Sequence, residues 1–278
     1  CSSSISDLED KIETQTAKNN VEMSYAEIKK TAIYLDTWSK KDFYQEAIDE
    51  FKEVDKATPP PDDLILFTGD LVNNFYWEAD PYVETLKKIK SKNGIYSVLG
   101  NHDYSDYTGI NKKSPEGKKQ WNDHLNNMIE MHKTIGFNLL LNQHETISIN
   151  NQKINIVGVE NWGNGNFSKY GDLDLAMQNV DDKYPTILLS HDPSHWEEKV
   201  QKHPKKIDIQ FAGHTHGMQF GIEIGKFKWS PAKWKYKQWA GLYNKGNHQI
   251  YVNRGIVHLG YPGRVGIMPE ITVIEISA

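Results

Sequence analysis

The feature that most restricts this chain is a recurrent punctuation. Four apolar runs each end on a short polar signature: "LILFTGD" at 64–70, "IYSVLGNHD" at 95–103, "TILLSHD" at 186–192 and "IQFAGHTH" at 209–216. Short runs rich in large aliphatic residues, closed by glycine and polar turn formers, read as buried strands. Helical patterns lie between them, over "PYVETLKKIKS" at 81–91 and over about residues 117–135, and short strands are expected near 138–159. An earlier helical pattern starts at Asp42, with Phe43, Ala47, Ile48 and Phe51 at helical spacing, and "ATPPPDD" at 57–63 breaks it. Beyond Gly217 the chain turns β-rich and closes on "ITVIEIS". This alternation predicts an α/β (α+β) fold of layered sheets covered by helices.

Composition narrows the class. A hydrophobic content of 38% and a charged content of 25% are those of a globular protein with a real core. No apolar run reaches the roughly 18 residues of a transmembrane helix. A net charge of −5 argues against a nucleic-acid partner. The single cysteine, Cys1, excludes an internal disulfide. A chain opening "CSSS" has the look of a bacterial lipoprotein anchored through Cys1, hence an expected location in the cell envelope, with the cytoplasm as the alternative. Residues 1–30 are polar and read as a tether; residues 31–278 read as one domain.

Strand ends on one side of an α/β sheet are where ligand sites collect. Here they carry Asp70, Asn101, His191, His214 and His216: one carboxylate, one amide oxygen and three imidazoles. That mixture suits Mn, Fe, Zn or Ni better than Mg or Ca, which prefer oxygen shells. If "GHTH" is extended, His214 and His216 point the same way and face one centre. Taken alone, a "GD" is an ordinary turn and His191 an ordinary hydrogen-bonded histidine. The ordered set of four, each behind an apolar run, is what separates a site from coincidence.

With "GD", "GNHD", "SHD" and "GHTH" in this order, the sequence resembles the calcineurin-like metallophosphoesterases. The likeness is closest to their bacterial envelope-associated branch, through "TGDLVNN", "VLGNHDY", "LLSHDPSHW", "GHTHGMQFG" and "LGYPGRVG". The resemblance implies a calcineurin-like four-layer β-sandwich flanked by helices, with two divalent metals at the strand ends. It implies that Asp70 bridges both metals, that Asn101, His191 and His214 complete the second, and that His216 serves the first. His102 would protonate the leaving oxygen, steered by Asp103. The implied chemistry is hydrolysis of a phosphomonoester or phosphodiester by a metal-activated hydroxide. Asn73 and Arg264 are candidate substrate-binding residues: Arg264 clamps a phosphate or braces a turn, and Asn73 orients the loop after Asp70 or caps the next helix.

One family signature, an early D-x-H, is missing. A gapless match puts Ala32 and Tyr34 at its two positions, and "ISDLE" at 5–9 is a lookalike inside the polar tail. The first metal would then keep only Asp70 and His216, fewer than the usual three or four protein ligands. Three outcomes follow: a mononuclear, weakly active relative, replacement by Asp36, or loss of a segment. The competing function is therefore an impaired relative that binds one metal and a phosphorylated ligand. The expected partner is a phosphorylated small molecule or lipid. Lysines alternating with aromatics over "KFKWSPAKWKYKQWAGLY" at 226–243 read either as membrane-surface contact or as lysine stems over rings.

Overall fold

In the computed structural model, residues 30–35, 63–224, 227–256 and 263–276 are described. Cys1, the lookalike at 5–9, the helix expected from Asp42, Asp36 and part of "LGYPGRVG" lie outside them.

Among the described residues thirteen strands run in chain order: β1 (Lys30–Leu35), β2 (Asp63–Phe67), β3 (Ile95–Ser97), β4 (Asn138–Leu139), β5 (Gln143–Ile149), β6 (Gln152–Gly158), β7 (Thr186–Leu189), β8 (Ile209–Ala212), β9 (Ile222–Ile224), β10 (Phe227–Trp229), β11 (Gly241–Lys245), β12 (His248–Val252) and β13 (Thr272–Ile276). Two sheets take all but the β9–β10 pair. One has the order β13-β1-β2-β3-β4, the other β11-β12-β8-β7-β6-β5. Within them β1, β2, β3 and β4 pair in parallel, as do β6, β7, β8 and β12. The outer strands β13, β11 and β5 run antiparallel to their neighbours.

The apolar runs are continuous because the strands are covered on both sides. Leu64 and Leu66 of β2 face the second sheet, where Ile156, Leu189 and Phe211 meet them. Ile65 and Phe67 point the other way, onto a helical layer. That layer is built mainly by α2 (Pro115–Ile135), preceded in the chain by the single turn α1 (Val83–Leu86). Ser114 caps α2 by accepting from the Gly117 N–H, Pro115 opens it, and Gly136 ends it at φ 86°. Its buried residues His124, Met128, Met131, His132 and Ile135 fall on one face at helical spacing. Behind the second sheet, α3 (Leu173–Ala176) and α4 (Ser194–Glu198) bring Leu173, Ala176 and Trp196 against Val157, Leu188 and Val252. The order helix, sheet, sheet, helix is the four-layer sandwich expected. Each fully buried Leu, Ile or Phe in these interfaces contributes about 1.5–3 kcal/mol relative to exposure.

One helix departs from expectation. "PYVETLKKIKS" forms only the end of a 3-10 segment, Tyr76–Tyr82, and then α1. Pro81 lies inside the 3-10 turn and has no amide to donate. After Leu86 the amides of Lys88 and Ile89 bond three residues back, tightening the chain toward Gly94 and β3.

Candidate metal centre

Strands β2, β3, β7 and β8 end on the same side because they run parallel in two facing sheets. The loops after β2 and β3 touch backbone to backbone. A Cβ on Gly69 would lie 2.5 Å from the Gly100 amide nitrogen, and a Cβ on Gly100 would lie 2.1 Å from Asp70 Oδ1. Only glycine permits that approach, and Gly69 also sits at φ 105°. Asp70 follows at φ 58°, and its Oδ1 accepts the His102 amide at 3.0 Å.

Asp70, His191 and His214 form the one group of metal-ligating side chains among the described residues. The hydrogen bonds around them set the tautomers. His191 Nδ1 donates to the Thr68 carbonyl at 2.7 Å, so its Nε2 presents a lone pair. That nitrogen lies 3.1 Å from Asp70 Oδ2, 3.1 Å from Asn101 Oδ1 and 3.2 Å from His214 Nδ1. Asn101 gives its amide Nδ2 to the Tyr107 hydroxyl at 2.8 Å, which turns Oδ1 inward to lie 2.6 Å from His214 Nδ1. His214 places Nε2 2.6 Å from the Tyr236 hydroxyl and 3.4 Å from Asp192 Oδ2; a proton held there would leave Nδ1 free to ligate. With His214 in that tautomer, four lone-pair atoms converge: Asp70 Oδ2, Asn101 Oδ1, His191 Nε2 and His214 Nδ1. Acceptors packed this closely repel one another unless a cation lies between them. Ligand atoms about 2.1 Å from one tetrahedral metal lie about 3.4 Å apart; the three separations from His191 Nε2, 3.1 to 3.2 Å, approach that spacing, and the 2.6 Å between Asn101 Oδ1 and His214 Nδ1 is shorter. The donor set fits a divalent metal.

The electrostatics set a buried carboxylate among histidines. Burial pushes Asp70 upward, and the positive charge that His191, His102 and His214 carry when protonated, with the His191 hydrogen bond, outweighs it, holding the acid well below the usual carboxylate range. Burial moves His214 down to about 4, against the pull of Asp192. It moves His216 down to about 3, reinforced by Arg264.

His216 is buried and its Nδ1 has no hydrogen-bond partner among the described residues, but it stands outside the three-residue group. The extended "GHTH" expected from the sequence is corrected here. His214 lies at φ 68°, Thr215 at φ −77° and His216 at φ 48°. The segment turns sharply instead of running straight, so an i, i+2 argument does not apply. The reason is local: Thr215 caps the 3-10 turn His216–Gln219 by accepting from the Gly217 N–H.

His102 donates Nδ1–H to the Asn73 carbonyl at 2.8 Å, which leaves Nε2 as its second site. The Asp103 carboxylate is engaged with backbone amides. Oδ2 accepts from Asp70 and Gly100, each at 2.8 Å, and Oδ1 accepts from Val72 at 3.1 Å. It clamps the two glycine loops together, where steering of the His102 ring was expected; that ring is held by the Asn73 carbonyl instead. Burial and the charge of Asp70 push Asp103 up to about 8, against those amides. Asn73 contributes its backbone, its own amide donating to Glu78 at 2.7 Å. Arg264 braces the turn: its guanidinium donates to the His216 carbonyl at 3.3 Å and to the Arg254 carbonyl at 2.7 Å.

Tyr107, Asp192 and Tyr236 were not expected at the site. Asp192 follows His191 directly, so the third letter of "SHD" was a legible signal. Tyr107 and Tyr236 carried none, since they arrive from a loop and from beyond a 3-10 turn.

Residues 36–218 match the family model of the calcineurin-like phosphoesterases. The chain belongs to that family. It is 29% identical over 220 residues to the uncharacterized metallophosphoesterase YkuE of Bacillus subtilis, covering 78% of this chain and 68% of that protein. It is 28% identical over 273 residues to an uncharacterized metallophosphoesterase of Helicobacter pylori (strain J99), covering 90% and 63%. The chain thus spans less than two thirds of the Helicobacter protein's length. It is 27% identical over 243 residues to the UDP-2,3-diacylglucosamine pyrophosphatase LpxG of Chlamydia trachomatis, covering 70% and 68%. Among solved structures, the NAD nucleotidase NadN of Haemophilus influenzae shares the fold at a TM-score of 0.50 and 13% identity, over 84% of this chain and 46% of that one. As a member of this family the chain is a hydrolase acting on phosphate esters, and the family uses divalent metals.

Proposed function

We propose that this hydrolase cleaves a phosphomonoester or phosphodiester of a small molecule or lipid at the end of strands β2, β3, β7 and β8. The observation that carries the reading is the convergence of four ligand atoms from Asp70, Asn101, His191 and His214, the other three each 3.1 to 3.2 Å from His191 Nε2. These residues would hold a divalent cation, Mn, Fe, Zn or Ni by donor type. When bound, such a cation polarises phosphoryl oxygens and lowers the pKa of a water it holds. The chain's own residues supply the rest. His102, fixed through Nδ1 by the Asn73 carbonyl, holds a proton at Nε2 for the leaving oxygen. Asp103 keeps the two loops at contact distance, and Tyr107 and Tyr236 fix the rotamers of Asn101 and His214. Lipid-linked phosphates enter as substrates by analogy with the substrate named for LpxG.

A second reading, a site holding one cation, is favoured by His216 standing outside the three-residue group. The two-cation reading draws on Asp36, which follows β1 in the chain; β1 is parallel to β2, and Leu35 lies in register with Phe67. Metal content per chain, measured by inductively coupled plasma mass spectrometry on protein purified without chelator, separates the two. Close to two metals, falling to one in Asp36→Ala, supports a dinuclear hydrolase. One metal per chain supports the mononuclear form. His214→Ala is expected to strip the metal and abolish turnover of an aryl phosphate ester with Mn; retention of both overturns the proposal.

A further inference from the structure

The β9–β10 hairpin has its polarity reversed. Its register sets Ile224 opposite Phe227, Glu223 opposite Lys228 and Ile222 opposite Trp229. Residues opposite one another share a face. One face is thus Ile222, Ile224, Phe227 and Trp229, and the other is Glu223 and Lys228. A sheet lying on a protein core turns its apolar face inward. Here the charged face turns inward: Glu223 bonds Lys228 at 2.6 Å and Arg254 at 2.5 Å, and Arg254 bonds Glu270 at 2.6 Å. The apolar face is left to solvent, with Ile224 72% and Phe227 61% exposed.

The patch extends beyond the hairpin. Trp234, 75% exposed, stands edge-on to Trp229 at 5.9 Å. Met218, Phe220, Val265 and Met268 are exposed as well, and Phe220 and Val265 are bridged. Single exposed apolar residues are ordinary, but this many on neighbouring segments are not. The platform grows directly from the turn that carries His216, for the Ser230 hydroxyl returns to the Gly217 carbonyl at 2.6 Å. Lys233, Lys235 and Lys237 line the segment that follows, and among the described residues only Lys237 of the three meets an acid, Glu197.

We propose that this platform docks the protein on an anionic lipid bilayer, with Ile224, Phe227 and Trp234 entering the headgroup region and Lys233 and Lys235 meeting anionic headgroups. Tryptophan beside lysine at an apolar tip suits the bilayer interface. The lysine rim argues against a second copy, since a two-fold contact through the patch would set lysines against lysines. The ion-pair network through Arg254 holds the hairpin firm as it inserts. The proposal rests on the hairpin and stands apart from the reading of the metal centre.

The test is co-flotation of the full chain with phosphatidylcholine vesicles, with and without phosphatidylglycerol. The wild type is expected to float with the anionic vesicles and to be released by salt. The triple variant Ile224→Ser, Phe227→Ser, Trp234→Ser is expected to lose binding by about tenfold or more. Its thermal midpoint and its hydrolysis of a soluble aryl phosphate stay at wild-type values. Equal flotation of the two chains overturns the proposal. So does a wild-type dimer, seen by sedimentation, that the variant breaks without either chain binding vesicles. A loss confined to turnover of a soluble short-chain lipid phosphate, with no vesicle binding by the wild type, also overturns it and makes the patch an acyl subsite. Should neither chain hydrolyse the aryl ester while the wild type still floats, the functional proposal fails and this one stands.

Discussion

His132→Phe is expected to remove about 2 kcal/mol of acid sensitivity from this fold. His132 lies on the buried face of α2, its ring 6.1 Å from those of Phe67 and Phe137. Nδ1 meets the Ser97 hydroxyl at 2.9 Å, and Nε2 has no partner among the described residues. Burial alone pushes its pKa from 6.5 to about 3. The folded value lies below the unfolded one, so the unfolded chain takes the proton first. Stability is unaffected well above pH 6.5, falls as the pH drops through that value, and levels off near 3. Each unit is about 1.36 kcal/mol, so descending from 6.5 to about 5 costs about 2 kcal/mol. The phenylalanine ring does not titrate. Its loss of the Ser97 bond costs about 1 kcal/mol at every pH and shifts the curve without tilting it. The assay is urea unfolding of chelator-treated protein near pH 7 and near pH 5 for both chains. His195, His214 and His216, also depressed by burial, act alike in both chains and cancel in the difference. The stability gap should move by about 2 kcal/mol toward the variant at the lower pH. Parallel profiles would refute the claim that this histidine is held neutral.

Two further outcomes bear on the centre. Gly100→Ala forces a Cβ to within 2.1 Å of Asp70 Oδ1 and 2.7 Å of the Asp70 amide nitrogen, so Asp70 must leave its place. Metal content and turnover are expected to fall together; a variant that keeps its metal would show the loop contact to be soft. His102→Gln is expected to lower kcat by roughly 100-fold or more on an alkyl phosphate while metal content stays unchanged, and to lower it far less on an ester with an acidic phenol as leaving group. An equal loss on both esters would assign His102 to binding instead of proton delivery.

The strands and their glycine endings were legible because their causes are local. A strand covered on both faces is apolar along its covered length, as "LILF" at 64–67 and "ILL" at 187–189 are. A loop that approaches another backbone must use glycine, as Gly69 and Gly100 do. Asp70, Asn101, His191 and His214 could be gathered as one donor set for the same reason: parallel strands that end together bring their next residues together. The α2 helix was legible in its periodicity, whereas α1 was not, because Pro81 and the short path to β3 override an amphipathic pattern.

What the tertiary structure alone decided are the pairings between atoms far apart in the chain. His191 receives its tautomer from Thr68, 123 residues away, and His214 meets Asn101 across 113. Asp103 reads as a partner for its neighbour His102, yet its carboxylate is drawn to the amides of Asp70 and Val72, whose bonding needs are invisible in a one-dimensional string. "GHTH" reads as an extended pair of ligands, yet a threonine cap curls it, and His214 alone of the pair joins the group with Asp70 and His191. The hairpin's alternation of Ile222, Glu223 and Ile224 is plain in the sequence, but alternation does not say which face meets the protein. Arg254 and Glu270 decide that, because a buried ion pair recruits the charged face and leaves the apolar one outside.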